Sequence, residues 1–204
     1  MNKFSIKEAI KYGWDNFKSH ARLLLLVAIT IFAVNYIPEG FIKITGQEEG
    51  MLVSIIDVAS WILGFIISMG FIRITLNIYD KKNVTYSNLF LYNPEYLWRY
   101  IVTSLIEMTI IMLGLILLII PGIIFATRLQ FATYFVIDKK YRPIEAIKAS
   151  WNLTEGQTWN LFLYGLVAIL INLAGLLALL VGILVTIPLT CLATTYIYRK
   201  LEKN

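Results

Sequence analysis

The chain contains little charge, one histidine and one cysteine, and this composition excludes several classes of protein and of functional site. Its 204 residues include only His20 and Cys191 of these two types. One thiol cannot form an internal disulfide, and one histidine cannot build the usual histidine-rich metal site. Cys191 lies in an apolar run and is expected to pack as a small hydrophobic side chain. Neither an HExxH, a G-x-S-x-G nor a phosphate-binding glycine loop occurs, so the sequence predicts no enzyme, metal or cofactor.

Hydrophobic residues dominate what remains. They make up 58% of the chain, charged residues make up 15%, and the mean hydropathy is +0.71. A soluble domain of this length cannot bury so much apolar surface, so the composition indicates an all-α integral membrane protein. The net charge of +5 is confined to clusters between apolar runs. It therefore bears on orientation in a membrane and does not indicate a nucleic-acid partner.

Four long apolar stretches account for the membrane spans. Two are suited to one helix each, whereas the other two are too long for a single span. Gly114 and Pro121 interrupt the first of these long stretches, and the second is broken between Gly175 and Gly182. Each is predicted to form a hairpin, which gives six transmembrane helices, with Gly114 and Pro121 as alternative turn positions. The stretches cover residues 21–38, 51–79, 100–138 and 160–198.

Basic residues cluster at one end of these predicted spans. The opposite end has Lys43 among acidic residues that include Glu48 and Glu49. The positive-inside rule then predicts a multi-pass protein of the cell (inner) membrane with both termini in the cytoplasm. The clustered residues are Lys3, Lys7, Lys11, Lys18, Arg22, Lys81, Lys82, Arg99, Lys139, Lys140, Arg142, Lys148, Arg199, Lys200 and Lys203.

A short sequence repeats near the two ends of the chain. The residues EAIKYGW at positions 8–14 return as EAIKASW at positions 145–151, each just before an apolar stretch. The second helices of the hairpins also end alike, at Tyr79-Asp80-Lys81, Ile137-Asp138-Lys139 and Tyr198-Arg199-Lys200. Internal sequence repeats of this kind indicate that the fold is built from repeated structural units. It predicts one domain of three parallel repeats, each an amphipathic interfacial helix followed by a transmembrane hairpin. Their approximate limits are 1–82, 83–140 and 141–204.

The segment before each hairpin has the spacing of an amphipathic helix. Ser5 and Glu8 predict a capping box in the first copy, and Pro143 suits the first helical position in the third. The middle copy is weaker, because Pro94 soon ends its apolar stripe. We expect these helices to lie at the cytoplasmic interface and to contact anionic lipid, with plain anchoring of the loops as the simpler alternative. The predicted lipid-contacting residues are Lys7, Lys11, Trp14, Lys148 and Trp151.

Ionisable residues within the spans are the other candidate site, because they are costly in a bilayer. Glu107 and Arg128 lie on consecutive antiparallel helices, and a turn near Gly114 brings them to similar depths. We hypothesise that they form an ion pair, which either fixes helix packing or belongs to a substrate or proton site. Asp57 and Arg73 are the further members of this intramembrane polar set.

Several short motifs resemble those of known prokaryotic membrane proteins. They are Phe4–Ile10 with Gly13-Trp14, then Ile120-Pro121-Gly122-Ile123, Ala146 with the residues SWNLTEG at 150–156, and Gly182 with Pro188. On the basis of these motifs, nearly the full chain resembles the membrane domain attached to some glycerophosphodiester phosphodiesterases, and it also resembles YciC-like inner-membrane proteins. The resemblance implies a membrane location and about six helices. Because the phosphodiesterase barrel is not part of this chain, it implies no hydrolase activity.

Two hypotheses on function follow from the residues. The first is a non-enzymatic accessory or envelope-maintenance module of a prokaryotic inner membrane, with anionic lipid headgroups as its partners. The second is a small transporter or lipid-translocating protein with a polar site near Glu107 and Arg128. A protein partner and a homo-oligomer both stay open.

Overall fold

The computed structural model describes residues 4–45, 50–91, 93–178 and 182–203. All regular structure within these ranges is helical, which confirms the all-α prediction. Lys3, Glu48 and Glu49, which entered the orientation argument, lie outside the described residues. The helices are α1 Ile6–Ser19, α2 Ala21–Thr45, α3 Met51–Tyr79, a 3₁₀ helix Tyr86–Leu89, α4 Pro94–Leu117, α5 Ile119–Leu129, α6 Ala132–Lys139, α7 Pro143–Leu153, α8 Thr158–Leu177 and α9 Ile183–Glu202.

Local chemistry explains where the short helices begin. The Ser5 hydroxyl accepts a hydrogen bond from the Glu8 N–H at 3.3 Å, as the predicted cap of α1 requires. Pro143 occupies the first turn of α7, and the Arg142 N–H donates to the Glu145 carboxylate at 3.0 Å. These contacts satisfy backbone groups that a helix terminus otherwise leaves unpaired.

Within the described ranges, five helical stretches are long and apolar enough to cross a membrane, which supports a polytopic membrane protein. One of them consists of α5 and α6 together. The helix predicted as the sixth span, α9, is not among the five. It carries Thr190, Thr194 and Thr195 and ends in Arg199 and Lys200, which lower its apolarity. The five stretches are Ala21–Pro38, Val53–Tyr79, Pro94–Leu117, Ile119–Lys139 and Thr158–Leu177.

The two double-length apolar stretches turn back as expected. Leu118 is extended between α4 and α5, so the first turn falls between the predicted alternatives, Gly114 and Pro121. The two helices approach each other closely there: a Cβ on Gly114 would lie only 2.9 Å from the Cα of Gly122. The second break separates α8 from α9, between Gly175 and Gly182, as predicted.

The last helix, α9, lies at the centre of the bundle. It contacts α1, α2, α3 and α8, and its Leu192, Ala193, Ile197 and Tyr198 side chains are fully buried. Because its neighbours are largely other helices, α9 can carry hydroxyl groups that form hydrogen bonds inside the bundle.

Each short element outside the hairpins packs on the second helix of a hairpin. Helix α1 packs on α9, the 3₁₀ helix packs on α3, and α7 packs on α5 and α6 and also on α4. Two of these contacts are close enough to require glycine. A Cβ on Gly13 would lie 2.5 Å from the Leu189 carbonyl oxygen, and one on Gly70 would overlap the backbone of Leu89. The backbones therefore determine which residue type each position accepts.

We predict that Gly70→Ala lowers the free energy of unfolding by about 1–3 kcal/mol, because the added methyl group forces the 3₁₀ helix away from α3. Gly165→Ala is the matched control, since a Cβ there meets nothing within 4 Å. Alanine also favours a helix over glycine by roughly 1 kcal/mol, so the control should unfold no more easily than the native chain. Unfolding in detergent micelles followed by circular dichroism measures both, and equal destabilisation of the two variants would contradict the prediction.

Candidate functional site

A buried arginine joins the ends of three helices at the basic end of the bundle. The Arg199 side chain is 8% exposed and its guanidinium contacts three carboxylates. Nη1 lies 2.7 Å from Asp138 Oδ2, and Nη2 lies 2.8 Å from Asp138 Oδ1 and 2.9 Å from Asp80 Oδ2. The third carboxylate belongs to Glu202, 2.7 Å from Nη1. We call Asp80, Asp138, Arg199 and Glu202 the Arg199 junction.

The junction connects every hairpin. Asp80 follows α3, Asp138 lies in α6, and Arg199 lies in α9, so one guanidinium holds the second helices of all three hairpins. The planar fork of an arginine suits this bidentate contact better than a lysine would. Tyr198 adds a hydrogen bond from its hydroxyl to Asp138 Oδ2 at 3.1 Å, and Lys139 forms an ion pair with Glu202.

A layer of hydroxyl groups continues along α9 below the junction. Thr195 donates to the Thr75 hydroxyl at 2.8 Å, which links α9 to α3. The Tyr164 hydroxyl donates to the Thr190 carbonyl at 2.9 Å and lies 2.7 Å from the Thr194 hydroxyl, which links α8 to α9. These contacts are interhelical hydrogen bonds of the kind that stabilise membrane bundles.

Arg128 lies against α7 and not against Glu107. Its guanidinium carbon is 3.7 Å from the centre of the Trp151 ring, and its Nη2 donates to the Trp151 carbonyl at 2.9 Å. No ion pair or hydrogen bond joins Glu107 to Arg128, both of which lie in the described residues. The structure therefore does not bring the hypothesised pair together. The Trp151 ring forms a cation–π contact with the Arg128 guanidinium, in place of the predicted ion pair with a carboxylate.

The break between α5 and α6 explains why α7 binds at this point. The Arg128 carbonyl accepts hydrogen bonds from Ser150 at 2.8 Å and from Thr154 at 3.2 Å. The Phe131 N–H donates to the Ser150 hydroxyl at 3.2 Å. Because the break leaves these backbone groups without helical partners, the hydroxyls of α7 satisfy them.

The remaining polar residues of the predicted set are dispersed. Glu107 is half-buried on α4, and Asp57 is exposed on α3. Arg73 donates to the backbone carbonyl of Leu91, beyond the 3₁₀ helix. Asp57, Arg73, Glu107 and Arg128 thus do not form a single site.

The predicted lipid-contacting residues divide into two groups. Lys7, Lys11 and Lys148 are exposed, and Trp14 is 45% exposed beside Lys18. Trp151 is instead half-buried under Arg128. Sequence reasoning missed two further tryptophans at helix starts, Trp98 on α4 and Trp159 on α8, which are 67% and 68% exposed.

Sequence reasoning also missed the junction, although a signal was present. The matching ends of the second, fourth and sixth predicted spans have aspartate, aspartate and arginine at one position. That change of charge indicates contact among the three. Across the described ranges, no group of three or more histidine, cysteine or carboxylate residues is arranged to hold a metal ion. The arrangement is suited to holding helices together and presenting a charged end.

We predict that Arg199→Met lowers the free energy of unfolding by roughly 3–5 kcal/mol, because Asp80 and Asp138 lose the buried cation between them and keep only the more exposed Lys82 and Lys139. Lys82→Gln is the control, since Lys82 contacts Asp80 with a side chain that is 64% exposed, and exposed pairs contribute little. Thermal unfolding in micelles should separate the two variants clearly, and a similar loss for both would contradict the role given to Arg199.

A second prediction concerns Glu107 and Arg128. Arg128→Glu should destabilise the chain through loss of the Trp151 contact, and adding Glu107→Arg should not restore stability. Arg128→Lys keeps the charge and should retain part of the cation–π contact. Recovery of native stability in the double reversal, measured by the same unfolding assay, would show that the two residues pair after all.

Comparisons with known proteins find relatives of this chain but supply no role for it. Uncharacterized protein Rv2560 of Mycobacterium tuberculosis (strain ATCC 25618 / H37Rv) is 28% identical over an alignment 232 positions long, which covers 98% of this chain and 69% of the relative. Uncharacterized protein Mb2590 of Mycobacterium bovis (strain ATCC BAA-935 / AF2122/97) is similar to the same extent, with 28% identity. No solved structure matches the chain. Residues 53–198, from the first turn of α3 to the residue before Arg199, match one family model, and the chain therefore belongs to the family described as Domain of unknown function (DUF7847).

Proposed function

We propose that the protein is a six-span accessory or envelope-maintenance module of the cell membrane, built from three parallel repeats. Its basic end faces the cytoplasm and binds anionic lipid headgroups through α1 and α7. The protein acts by binding and not as an enzyme. A homo-oligomer or a protein partner is compatible with this role.

The Arg199 junction supports the three repeats. Asp80, Asp138 and Arg199 are matching positions by sequence, and all three side chains meet. A second set of matching contacts lies ten residues before these three positions. At each of them, the backbone of the second helix of one hairpin contacts the short element that precedes a different hairpin. The contacting pairs are Gly70 with Leu89, Arg128 with Ser150, and Leu189 with Gly13. Gly13 and Ser150 are themselves matching residues of the repeated heptapeptide.

The position of α9 supports its assignment as the sixth span. Its 20 residues correspond to a helix about 30 Å long, which is the thickness of a bilayer core. Neighbouring helices surround it, so its threonines need not face lipid. A central span can therefore be less apolar than the outer ones.

The surface of α1 carries the lipid-binding proposal. Ala9, Gly13 and Phe17 are buried, so the opposite face of α1, with Lys7, Lys11 and the indole of Trp14, points away from the protein. Tryptophan prefers the depth of lipid headgroups, and lysine interacts with their phosphates. Trp98 and Trp159 stand exposed at the starts of two spans, which is the pattern of an aromatic belt.

The transport alternative has less support. It depended on a polar site shared by Glu107 and Arg128, and Arg128 is instead bound to Trp151. A site at Glu107 would have to be formed without Arg128. The exposed basic surface therefore favours lipid binding over transport.

We predict that the triple variant Lys7→Gln, Lys11→Gln, Lys148→Gln binds anionic lipid at least about tenfold more weakly, because each lysine near an anionic surface contributes about 1 kcal/mol. The measurement is native mass spectrometry of the full chain released from nanodiscs that contain equal amounts of phosphatidylglycerol and phosphatidylcholine. Loss of retained phosphatidylglycerol, with phosphatidylcholine unchanged, is the expected result.

The triple lysine-to-arginine variant at the same positions is the control, since it keeps the charge. It should retain phosphatidylglycerol as the native chain does. If the glutamine variant retains as much phosphatidylglycerol as the arginine variant, the proposal is wrong. Trp14→Ala tests the aromatic anchor separately and should weaken retention of both lipids.

A further inference from the structure

A polar cleft lies between α2 and α3, far from the basic end. It has a volume of about 570 Å³, and its lining includes Val34, Asn35, Asp57, Trp61 and Phe65. Pockets that hold small organic ligands are typically about 300–1,000 Å³. Asp57 lies 22 residues before Tyr79 in α3, roughly 33 Å along the helix axis, so the cleft is separate from the lipid-binding surface of α1.

The spacing of the α3 residues places the polar groups of the cleft on one face. Asp57, Trp61, Gly64 and Ser68 follow each other at intervals of three or four residues, as one face of a helix requires, and Ser60 lies three residues after Asp57. A Cβ on Gly64 would meet nothing within 4 Å, so no close helix contact requires glycine at this position. The missing side chain leaves space in the cleft.

Three residues of the cleft offer hydrogen-bond acceptors, and the hydroxyls of Ser60 and Ser68 can donate or accept. The Asp57 carboxylate has no hydrogen bond or ion pair to any described residue. Asn35 uses its Nδ2 to donate to the Ile31 carbonyl at 2.7 Å, which leaves its side-chain oxygen available. Pro38 has no N–H, so the carbonyl of Val34 lacks its helical partner and adds another acceptor. Among the residues that the structure describes, no lysine or arginine lines the cleft.

Aromatic and apolar walls complete the cleft. The rings of Trp61 and Phe65 meet edge to face with centroids 6.2 Å apart. These two residues and Asp57 also line an adjoining apolar cleft of about 320 Å³ against Ile101 and Leu105 of α4. A carboxylate with aromatic faces recognises an alkylammonium group, and the apolar space can receive a hydrocarbon tail.

We propose that this cleft binds an amphiphilic organic amine in its protonated form. The Asp57 carboxylate receives the ammonium group, the Val34 carbonyl and the Asn35 oxygen accept its further hydrogen bonds, and Trp61 covers its charge. The apolar body of the ligand lies against Phe65 and α4. This inference does not depend on the proposed lipid binding at α1 and α7.

The test is a calorimetric titration of phenylbutylamine into the full chain in phosphatidylcholine nanodiscs, with empty nanodiscs as the blank. Saturable binding above the blank is expected. The neutral phenylbutanol has the same shape without the charge and should bind at least about tenfold more weakly, because a charge-assisted hydrogen bond is lost. Equal binding of the amine and the alcohol, or no saturable binding of the amine, overturns the proposal.

Variants locate the binding. Asp57→Asn keeps the size of the side chain and should bind phenylbutylamine at least about tenfold more weakly. Asp15→Asn makes the same change on the exposed face of α1 and should bind as the native chain does. Trp61→Leu retains Asp57 and should weaken binding about fivefold through loss of the cation–π contact. Native affinity in both Asp57→Asn and Trp61→Leu, each verified as folded by its unfolding temperature, assigns the amine to another surface and refutes the proposed site.

Discussion

The buried guanidinium of Arg199 is the interaction on which the arrangement of the bundle depends. Helices in a bilayer gain little from the hydrophobic effect when they associate, because lipid tails are as apolar as leucine. Specific polar contacts and close packing must then fix their positions. Arg199 binds Asp80 and Asp138, which stand at the ends of the two other hairpins, and thereby holds α3, α6 and α9 at one point. Close backbone contacts at Gly13 and Gly70 position the short elements around this point.

The centre and the periphery of the bundle obey different rules. Outer helices such as α4 expose large apolar side chains, among them Ile116 and Leu117, which are 79% and 76% exposed. The central helix α9 instead carries threonines whose hydroxyls bond within the bundle, as Thr195 does to Thr75. Hydropathy therefore identifies the outer helices readily and underestimates the central one. The same polarity that lowers the hydropathy of α9 allows it to hold its neighbours.

The two polar regions of the molecule have opposite chemical character. The basic end combines exposed lysines and tryptophans with a junction whose charges are paired internally. The cleft between α2 and α3 combines acceptor groups with aromatic walls, and Asp57 is unpaired among the described residues. An anionic headgroup suits the first and an organic cation suits the second, so the proposed ligands bind at opposite ends of the helical bundle.

The amino-acid sequence by itself determined the helical class, the hairpin breaks and the cap of α1. These follow from local properties: apolar length, the breaking effect of glycine and proline, and the short reach of a capping hydroxyl. It also contained the repeat that relates Gly13 to Ser150. Only the tertiary structure decided which charges meet. Arg128 and Glu107 lie on neighbouring helices, yet Trp151 from α7 occupies the guanidinium, while Arg199 reaches Asp80 across 119 positions of the chain. Side-chain pairing depends on helix rotation and on which short element fills a break, and neither is encoded in local periodicity.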